Sequence, residues 1–259
     1  GRSVDNRGGN LQSGGLMLLN TEGDIDFTSA NIKAGSLALK TGGNLLLNTG
    51  ARTINMNGLV GGGSVNRSST MLGRIASMDI GGNALIQTGG NFELNGAQFK
   101  VGGDLVTDIL GNWQIGIQQT RETTTATAPG VQAFTDYIQH IGSGVQIGGK
   151  SNINIGKDFV AQGAQINLQG GGSINASGNI ELKAVKNSFK SDSTGVSKNH
   201  YGRNQSYDET LVGTNLQSGQ GLTISSGKDI TLSASILNVT QGNATLAAAG
   251  NVNIKADTE

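Results

Sequence analysis

The sequence has no cysteine, a single proline (Pro129) and few aromatic residues, and each scarcity excludes a class of protein. Without cysteine there can be no disulfide framework, no thiolate zinc site and no cysteine nucleophile. Collagen-like chains and Pro/Gly-rich disordered chains both need proline, so the 43 glycines of this 259-residue chain serve another purpose. Because 35% of the residues are hydrophobic but only 4% are aromatic, a core must be built mainly from aliphatic side chains.

Net charge and long apolar runs are also missing. The 18 basic residues balance the 18 acidic ones, so the chain lacks the overall basic field that draws nucleic acid to a protein. No apolar run approaches the ~18 residues that predict a membrane-spanning helix. The sequence starts with Gly1 rather than methionine and shows no signal peptide. We therefore expect an interior segment of a longer protein that does not bind nucleic acid.

A short unit recurs along the chain: a glycine, a polar residue, and then apolar residues two positions apart. Examples are the segments 43–47 (GNLLL) and 250–254 (GNVNI). Apolar residues two apart predict one buried face of a strand, and Gly followed by Asn or Asp is typical of a tight corner that needs positive φ. The predicted corner glycines are Gly23, Gly43, Gly82, Gly90, Gly103, Gly178, Gly227 and Gly250.

The spacing of these units predicts the fold. Every second or third unit restarts a cycle of about 20 to 23 residues, which is the length of a solenoid repeat. A propeller blade needs about 40 residues, and hairpins need antiparallel partners. The sequence therefore predicts an all-β fold, a right-handed parallel β-helix with one cycle per coil. The aliphatic side chains predicted to form its core include Ile25, Leu45, Leu94, Ile153, Ile166, Ile180, Ile230, Leu246 and Val252.

Two segments interrupt this rhythm, residues 117–144 and residues 184–219. Both return to the repeat through similar Ile/Val-Gly-Ser/Thr stretches, so we interpret them as two excursions from corresponding corners of one β-helix that spans 1–259. A smaller break at 58–70 predicts a small loop. Loops on rigid scaffolds often carry binding residues. The candidate interaction residues are therefore those of the excursions: Arg121, Tyr137, His140, Lys186, Phe189, His200, Tyr201, Arg203 and Tyr207.

An enzyme is the main alternative, because a β-helix can also bind or cleave polysaccharides. Cleavage needs clustered carboxylates. Asp24 and Asp26 lie two apart, and Asp104 and Asp108 lie near a glycine-rich corner, but corner hydration explains both pairs. The two histidines do not form a spacing suited to a metal site. The sequence thus predicts no catalytic residue, no metal site and no cofactor, with a polysaccharide-binding or polysaccharide-cleaving β-helix as the alternative.

The second excursion and the stretch after it carry a family resemblance. A Lys/Ser/Asp-rich segment is followed by residues 208–216 (DETLVGTNL) and then by 221–230 (GLTISSGKDI). This order resembles the haemagglutinin repeat of filamentous-haemagglutinin-type exoproteins, the secreted partners of two-partner secretion, which include the CdiA-type effectors of contact-dependent growth inhibition. The resemblance covers residues 80–259 well and residues 1–79 more loosely.

The resemblance implies a function for the parent protein. Such a protein crosses the outer membrane of a Gram-negative bacterium through a dedicated transporter and folds on the cell surface as a β-helical filament. This chain would be a non-catalytic part of its shaft, in an adhesin or in a growth-inhibition effector. It would serve contact with the outer membrane, a receptor or a glycan of a target cell, or delivery of a C-terminal toxin across the target outer membrane.

Overall fold

The structure, a computed structural model, describes residues 1–256 and consists almost entirely of β-strands. In chain order the strands are β1 Val4–Asp5, β2 Asn10–Thr21, β3 Ile25–Asp26, β4 Asn31–Thr41, β5 Leu45–Asn48, β6 Ala51–Val60, β7 Gly63–Leu72, β8 Ser77–Ile80, β9 Ala84–Thr88, β10 Phe92–Asn95, β11 Gln98–Val101, β12 Leu105–Ile109, β13 Trp113–Ala128, β14 Val131–Gly142, β15 Gly144–Ile147, β16 Ser151–Ile155, β17 Phe159–Gln162, β18 Gln165–Leu168, β19 Gly172–Ala176, β20 Ile180–Lys183, β21 Val185–Ser197, β22 His200–Val212, β23 Asn215–Ser218, β24 Leu222–Ser226, β25 Ile230–Ser233, β26 Ile236–Val239, β27 Ala244–Ala248 and β28 Val252–Lys255. Within these described residues no helix is long and apolar enough to cross a membrane.

Twenty-two of these strands, together with the first residues of β13, stack in parallel to form a shaft with three faces, which is a parallel β-helix. The first face is the row β1-β3-β5-β10-β13-β17-β20-β25-β28. The second face contains the first halves of β2 and β4 and then β8, β11, β15, β18, β23 and β26. The third face contains the second halves of β2 and β4 and then β9, β12, β16, β19, β24 and β27. The predicted all-β parallel β-helix is confirmed.

The coils are of two lengths: the first two are short, and from Leu45 onward long and short coils alternate. Strands of the first face begin at Leu45, Phe92, Trp113, Phe159, Ile180, Ile230 and Val252, so long coils of 47, 46 and 50 residues alternate with short coils of 21 or 22 residues. Each long coil contains a hairpin that leaves the shaft. The predicted cycle of about 20 to 23 residues describes the short coils.

The core of the shaft is a set of aliphatic ladders with one aromatic stack. Of the predicted core residues, Ile25, Leu45, Leu94, Ile153, Ile166, Ile180 and Ile230 are buried, and Leu246 is half-buried. Trp113 packs on successive coils between Phe92, at a ring-centroid distance of 5.4 Å, and Phe159, at 5.6 Å.

Val252, also predicted to belong to the core, is not buried in the described residues. Val252 is 44% exposed and its neighbour Ile254 is 76% exposed. Both point along the same inward ladders as Ile230 and Leu232, with which they pair. They are exposed because they lie on the last coil of the described residues, where no further strand covers them.

The corner glycines are needed for a different reason from the one predicted. None of the eight predicted corner glycines has positive φ; the glycines that do are Gly8, Gly61, Gly62, Gly96, Gly130, Gly163, Gly171, Gly172 and Gly242. Instead, a Cβ atom at any of the eight would lie 3.1 Å or less from a backbone atom of the preceding coil. Glycine is therefore required because stacked corners approach one another so closely.

The polar residue after each corner glycine connects the coils. Along the corner between the third and first faces, a side-chain Oδ1 accepts a hydrogen bond from the backbone N–H of the equivalent residue one coil on, at 2.6 to 3.3 Å. The row consists of Asp24, Asn44, Asn91, Asn112, Asp158, Asn179, Asp229 and Asn251. Asn and Asp recur at this position because a short side chain with an acceptor oxygen reaches the next coil.

Candidate interaction surface on the hairpin sheet

Three hairpins leave the shaft, one from each long coil, and all leave from the corner between the first and second faces. Strands β6 and β7 are joined by Gly61 and Gly62, which both have positive φ. Strands β13 and β14 are joined by Pro129 and Gly130, and β21 and β22 by residues 198–199.

The prediction of a small loop at 58–70 is wrong, because these residues belong to a hairpin that spans 51–72. The chain thus has three hairpins where the sequence predicted two excursions, and the other two lie within the segments 117–144 and 184–219. The glycines and serines that suggested a loop occupy strands whose pairing partners lie outside the local sequence.

The hairpins pair with one another into a single six-stranded antiparallel sheet, which we call the hairpin sheet. Strand β7 pairs with β13 and strand β14 pairs with β21, which gives the order β6-β7-β13-β14-β21-β22. Strands in a sheet and coils in a β-helix share a spacing of about 4.8 Å. A hairpin is two strands wide and the hairpins lie two coils apart, so neighbouring hairpins meet at hydrogen-bonding distance.

In the short coils, the corner from which the hairpins leave is closed by one residue with positive φ. These residues are Gly8, Ser29, Gly96, Gly163 and Ala234. In the long coils the hairpin takes the place of this closed turn. A hairpin is therefore an insertion at a defined corner of an otherwise regular coil.

Opening a corner leaves backbone groups inside the shaft without their usual partners, and buried hydroxyl groups bond to them. Thr214 Oγ1 donates to the Lys183 carbonyl at 2.7 Å and accepts the Ala164 N–H at 3.3 Å. Ser143 and Thr49 are buried at the bases of the other two hairpins and make equivalent bonds, to Gly116 at 2.8 Å and to Gly96 at 2.7 Å.

The sequence reasoning missed these three residues. A signal for two of them was present. Ser143 and Thr214 occupy the position that Ala97 and Ala164 occupy in neighbouring short coils. At the point where the chain re-enters the shaft after these two hairpins, a residue with a hydroxyl group therefore replaces alanine.

The predicted interaction residues all lie on the hairpin sheet, but on opposite faces. Side chains alternate between the faces of a strand, and residues opposite each other share a face. We call one side the Arg121 face; it carries Arg121, His140, Lys186, Tyr201, Arg203 and Tyr207. The other side, the Tyr137 face, carries Tyr137, Phe189 and His200.

Ion pairs between charged side chains dominate the Arg121 face. Arg121 donates two hydrogen bonds to Asp136, at 2.8 and 2.7 Å, and Arg203 donates two to Asp192, at 3.1 and 2.6 Å. Each guanidinium holds the pKa of its carboxyl below the ordinary value. The hydrogen bond from Tyr207 lowers the pKa of Glu209, and Lys186 adds to this effect. Arg121, Lys186 and Arg203 are therefore each paired with a carboxylate.

A depression of about 490 Å³ lies on this face, between the ends of strands β14, β21 and β22. It is lined by Phe134, Lys190, Asp192, Tyr201 and Arg203 together with threonines and other small polar residues. Aromatic rings beside paired charges suit a ligand that is both polar and flat.

His140 is partly held in place by Asn187, whose Oδ1 accepts the His140 backbone N–H at 2.8 Å.

The Tyr137 face has one aromatic contact and one ion pair, between Arg67 and Glu122 at 2.8 Å. Tyr137 and Phe189 meet edge to face across β14 and β21, with ring centroids 6.4 Å apart. Near the tips this face carries Gly58, Val65, Ala126, Ala133 and Gly195.

Among the described strands, β6 and β22 each pair on one side only and form the two edges of the hairpin sheet.

Three of the four carboxylates considered for catalysis, Asp24, Asp26 and Asp104, have structural partners. Asp24 Oδ1 accepts the Asn44 N–H at 2.6 Å and Asp104 Oδ1 accepts the Lys150 N–H at 2.8 Å, both across neighbouring coils. Asp26 accepts the Thr28 N–H at 2.8 Å. In the described part of the chain, no three His, Cys, Asp or Glu side chains come together as a metal site.

Comparison with known proteins places this architecture among named relatives. A family model described as hemagglutinin repeat matches residues 1–58, 132–201 and 195–259. The tRNA nuclease CdiA-2 of Burkholderia pseudomallei (strain 1026b) is 40% identical over 268 residues, which covers 100% of this chain and 8% of that protein. The toxin CdiA of Yersinia pestis is 34% identical over 230 residues, which covers 88% of this chain and 7% of that protein.

A tRNA nuclease CdiA of Burkholderia pseudomallei is 39% identical over 239 residues, 89% of this chain and 18% of that protein. The chain thus spans less than a fifth of the length of these curated relatives. No solved structure matches the chain.

Proposed function

The chain belongs to the haemagglutinin-repeat family of secreted, cell-surface exoproteins, and we propose that its hairpin sheet serves target-cell contact or the delivery of a C-terminal toxin across the target outer membrane. The β-helix itself is a segment of the shaft. One observation carries the proposal: three hairpins that the coil does not need project from one corner and join into a continuous sheet with both faces open.

The names of the relatives support a role in delivery rather than in catalysis by this chain. Those relatives are named as toxins or tRNA nucleases, and the matching region is 8% of the length of one of them. Asp24, Asp26 and Asp104, three of the four carboxylates considered for catalysis, accept hydrogen bonds from backbone N–H groups. We therefore assign this segment no enzymatic step, and we place any nuclease activity of the parent outside it.

The proposed partners follow from this assignment. The parent protein would be exported through the outer-membrane transporter of a two-partner secretion system. The hairpin sheet would then meet the outer membrane, a receptor or a glycan of the target cell. On the Arg121 face three basic side chains, Arg121, Lys186 and Arg203, are paired with carboxylates, so contact through a strong positive field is not expected there.

The test removes one hairpin from the full-length parent without opening its coil. Replacing residues 184–213 by a single glycine joins Lys183 to Thr214 with the layout of the short-coil corner Gln162-Gly163-Ala164. The shaft should fold because only surface chain is removed. Export and display are measured with an epitope tag at the surface, and delivery is measured by competition against susceptible target cells.

A matched control keeps both strands and changes only the tip, with residues 198–199 replaced by the Gly-Gly turn of the first hairpin. We expect normal display of both variants, reduced delivery or adhesion for the deletion, and unchanged delivery for the control. A deletion variant that is displayed and delivers toxin or adheres as well as the parent would overturn the proposal.

A further inference from the structure

The second face of the shaft is covered by amide side chains. Its outward-facing residues form two rows along the shaft, and ten of these sixteen positions are Asn or Gln. The rows are Asn10, Asn31, Ser77, Gln98, Gly144, Gln165, Asn215 and Ile236, and Gln12, Lys33, Asp79, Lys100, Gln146, Asn167, Gln217 and Asn238. The third face differs, since one of its outward rows begins with Leu18, Ala38, Leu85 and Val106.

A groove of about 480 Å³ runs between these two rows. Its walls are the amide rows and its floor is the sheet itself at Met78, Phe99, Val145 and Ile166. Gly144 belongs to one of these rows and has no side chain, so the groove is more open on that side at this coil. The groove extends over several successive coils, so a ligand lying in it would run along the shaft axis.

Asn31 accepts a hydrogen bond from Ser77 at 3.0 Å, but most amides of the groove are not used by the fold. In the described structure, no side-chain hydrogen bond is made by Gln98, Gln146, Gln165, Asn167 or Gln217. Elsewhere, stacked amides do bond to each other: Asn95 donates to Asn48 at 3.0 Å and Asn175 donates to Asn154 at 3.1 Å. An amide offers two donors and one acceptor oxygen, so these side chains present a row of unused hydrogen-bonding groups.

One amide of the groove has a buried oxygen with no partner. Asn215 lines the groove, and its Oδ1 is inaccessible and accepts no hydrogen bond. A buried acceptor without a partner costs free energy. A small rotation of Asn215 toward a donor in the groove would remove that cost.

The charge of the groove indicates the chemistry of its ligand. Lys33, Asp79 and Lys100 alternate in sign at one end, and from Gln146 onward the row is uncharged. This pattern favours an uncharged ligand rich in hydrogen-bonding groups over an acidic polymer.

The spacing of the amides also selects between polymers. Coils repeat at about 4.8 Å, whereas an extended peptide places side chains on one side every ~6.7 Å and would drift out of step. In an extended β-1,4-linked glycan each ring advances by a distance close to the coil repeat. Successive rings are turned over, so equivalent hydroxyl or acetamido groups recur at every second coil.

We propose that this groove binds a linear, uncharged glycan that lies along the shaft with about one sugar ring per coil. The amides of Gln146, Asn167 and Gln217, which stack on three successive coils, would bond to its hydroxyl or acetamido groups. This site is separate from the hairpin sheet, and it does not depend on the delivery role proposed for that sheet.

The test uses the complete 259-residue chain and two defined probes, chitohexaose and cellohexaose, with binding measured by titration calorimetry. The triple variant Gln146→Ala, Asn167→Ala, Gln217→Ala removes the amides from the groove. The matched control Asn152→Ala, Asn154→Ala, Asn175→Ala removes three amides from the third face. The substituted side chains point outward, so circular dichroism should show both variants folded.

We expect at least one probe to bind, and the groove variant to lose about tenfold in affinity, the value of one to three net hydrogen bonds. The control variant should bind within about twofold of the unmodified chain. The proposal is overturned if neither probe binds, or if both variants lose affinity equally. It is also overturned if only a heparin hexasaccharide binds and that binding is lost in Lys33→Gln, Lys100→Gln rather than in the amide variant.

Discussion

The side-chain Oδ1 of Asn91 accepts the backbone N–H of Asn112 at 2.9 Å, one coil further along the shaft. The glycine before each of these residues makes this contact possible, because any side chain there would hold the two corners apart. Gly111 is such a residue: a Cβ built on it would lie 2.6 Å from the carbonyl carbon and oxygen of Gly90. Close stacking of corners and the hydrogen bonds between coils therefore depend on each other.

Replacing Gly111 by alanine should destabilise the shaft. The backbone of Gly90 and the Oδ1 atom of Asn91 occupy the space the new methyl group needs. The coils must therefore shift, at a cost of about 1–3 kcal/mol. Urea unfolding followed by the fluorescence of Trp113, the single tryptophan, measures the change. Gly14→Ala is the matched control, because nothing lies within 4 Å of a Cβ at that glycine. Equal midpoints for the two variants would contradict the account of the corners.

Removing the hydroxyl of Thr214 should destabilise the coil from which the third hairpin leaves. Thr214→Val keeps the shape of the side chain but leaves the Lys183 carbonyl and the Ala164 N–H without partners, which costs about 1–3 kcal/mol. Thr214→Ser keeps the hydroxyl and should retain most of the stability in the same urea experiment. A valine variant as stable as the unmodified chain would show that the hydroxyl does not support the open corner.

Acid should loosen the hairpin sheet before it affects the shaft. The pKa values of Asp136 and Asp192 are lowered by Arg121 and Arg203. A carboxyl with a lowered pKa stabilises the fold above its ordinary pKa of about 3.9 and loses that contribution as pH falls through the lowered value. Amide hydrogen exchange of β14 and β21, corrected for intrinsic rates, should therefore rise below about pH 4.

The variant Asp136→Asn, Asp192→Asn is the control for this pH dependence, since it has neither titrating carboxyl. Its exchange in β14 and β21 should be faster at neutral pH and change less on acidification. Exchange that rises equally in the variant and in the unmodified chain would show that these ion pairs do not hold the hairpin sheet.

The sequence predicted the features that depend on neighbouring residues. The alternation of Leu45 and Leu47 predicted a strand, and the recurrence of such strands predicted parallel coils. Gly43 and Asn44 predicted a corner at the right place, but the reason for the glycine was not predictable, because it lies in the coil below and not in the φ angle of Gly43.

The hairpin sheet was harder to predict because its contacts join distant segments. Asn66 pairs with Thr125, and Phe134 pairs with Asp192. Residues 58–70 are rich in Gly, which has low strand propensity, and the stretch joins a larger sheet through the pairing of β7 with β13. The amide groove was missed for a related reason: Gln146, Asn167 and Gln217 become neighbours only once the coils are stacked.

Disulfide crosslinking tests most directly the claim that hairpins from alternate coils form one sheet. The chain has no cysteine, so Thr135→Cys with Ser191→Cys introduces one thiol on each of two different hairpins. These residues are directly opposed on β14 and β21, where Cα atoms lie about 4.5–5.5 Å apart, within the range of a disulfide. Asn66→Cys with Ser191→Cys is the control, because strands β13 and β14 separate the two positions. Under mild oxidation, the account predicts an intramolecular disulfide in the first pair, seen by intact mass, and free thiols in the control. Free thiols in both variants would contradict it.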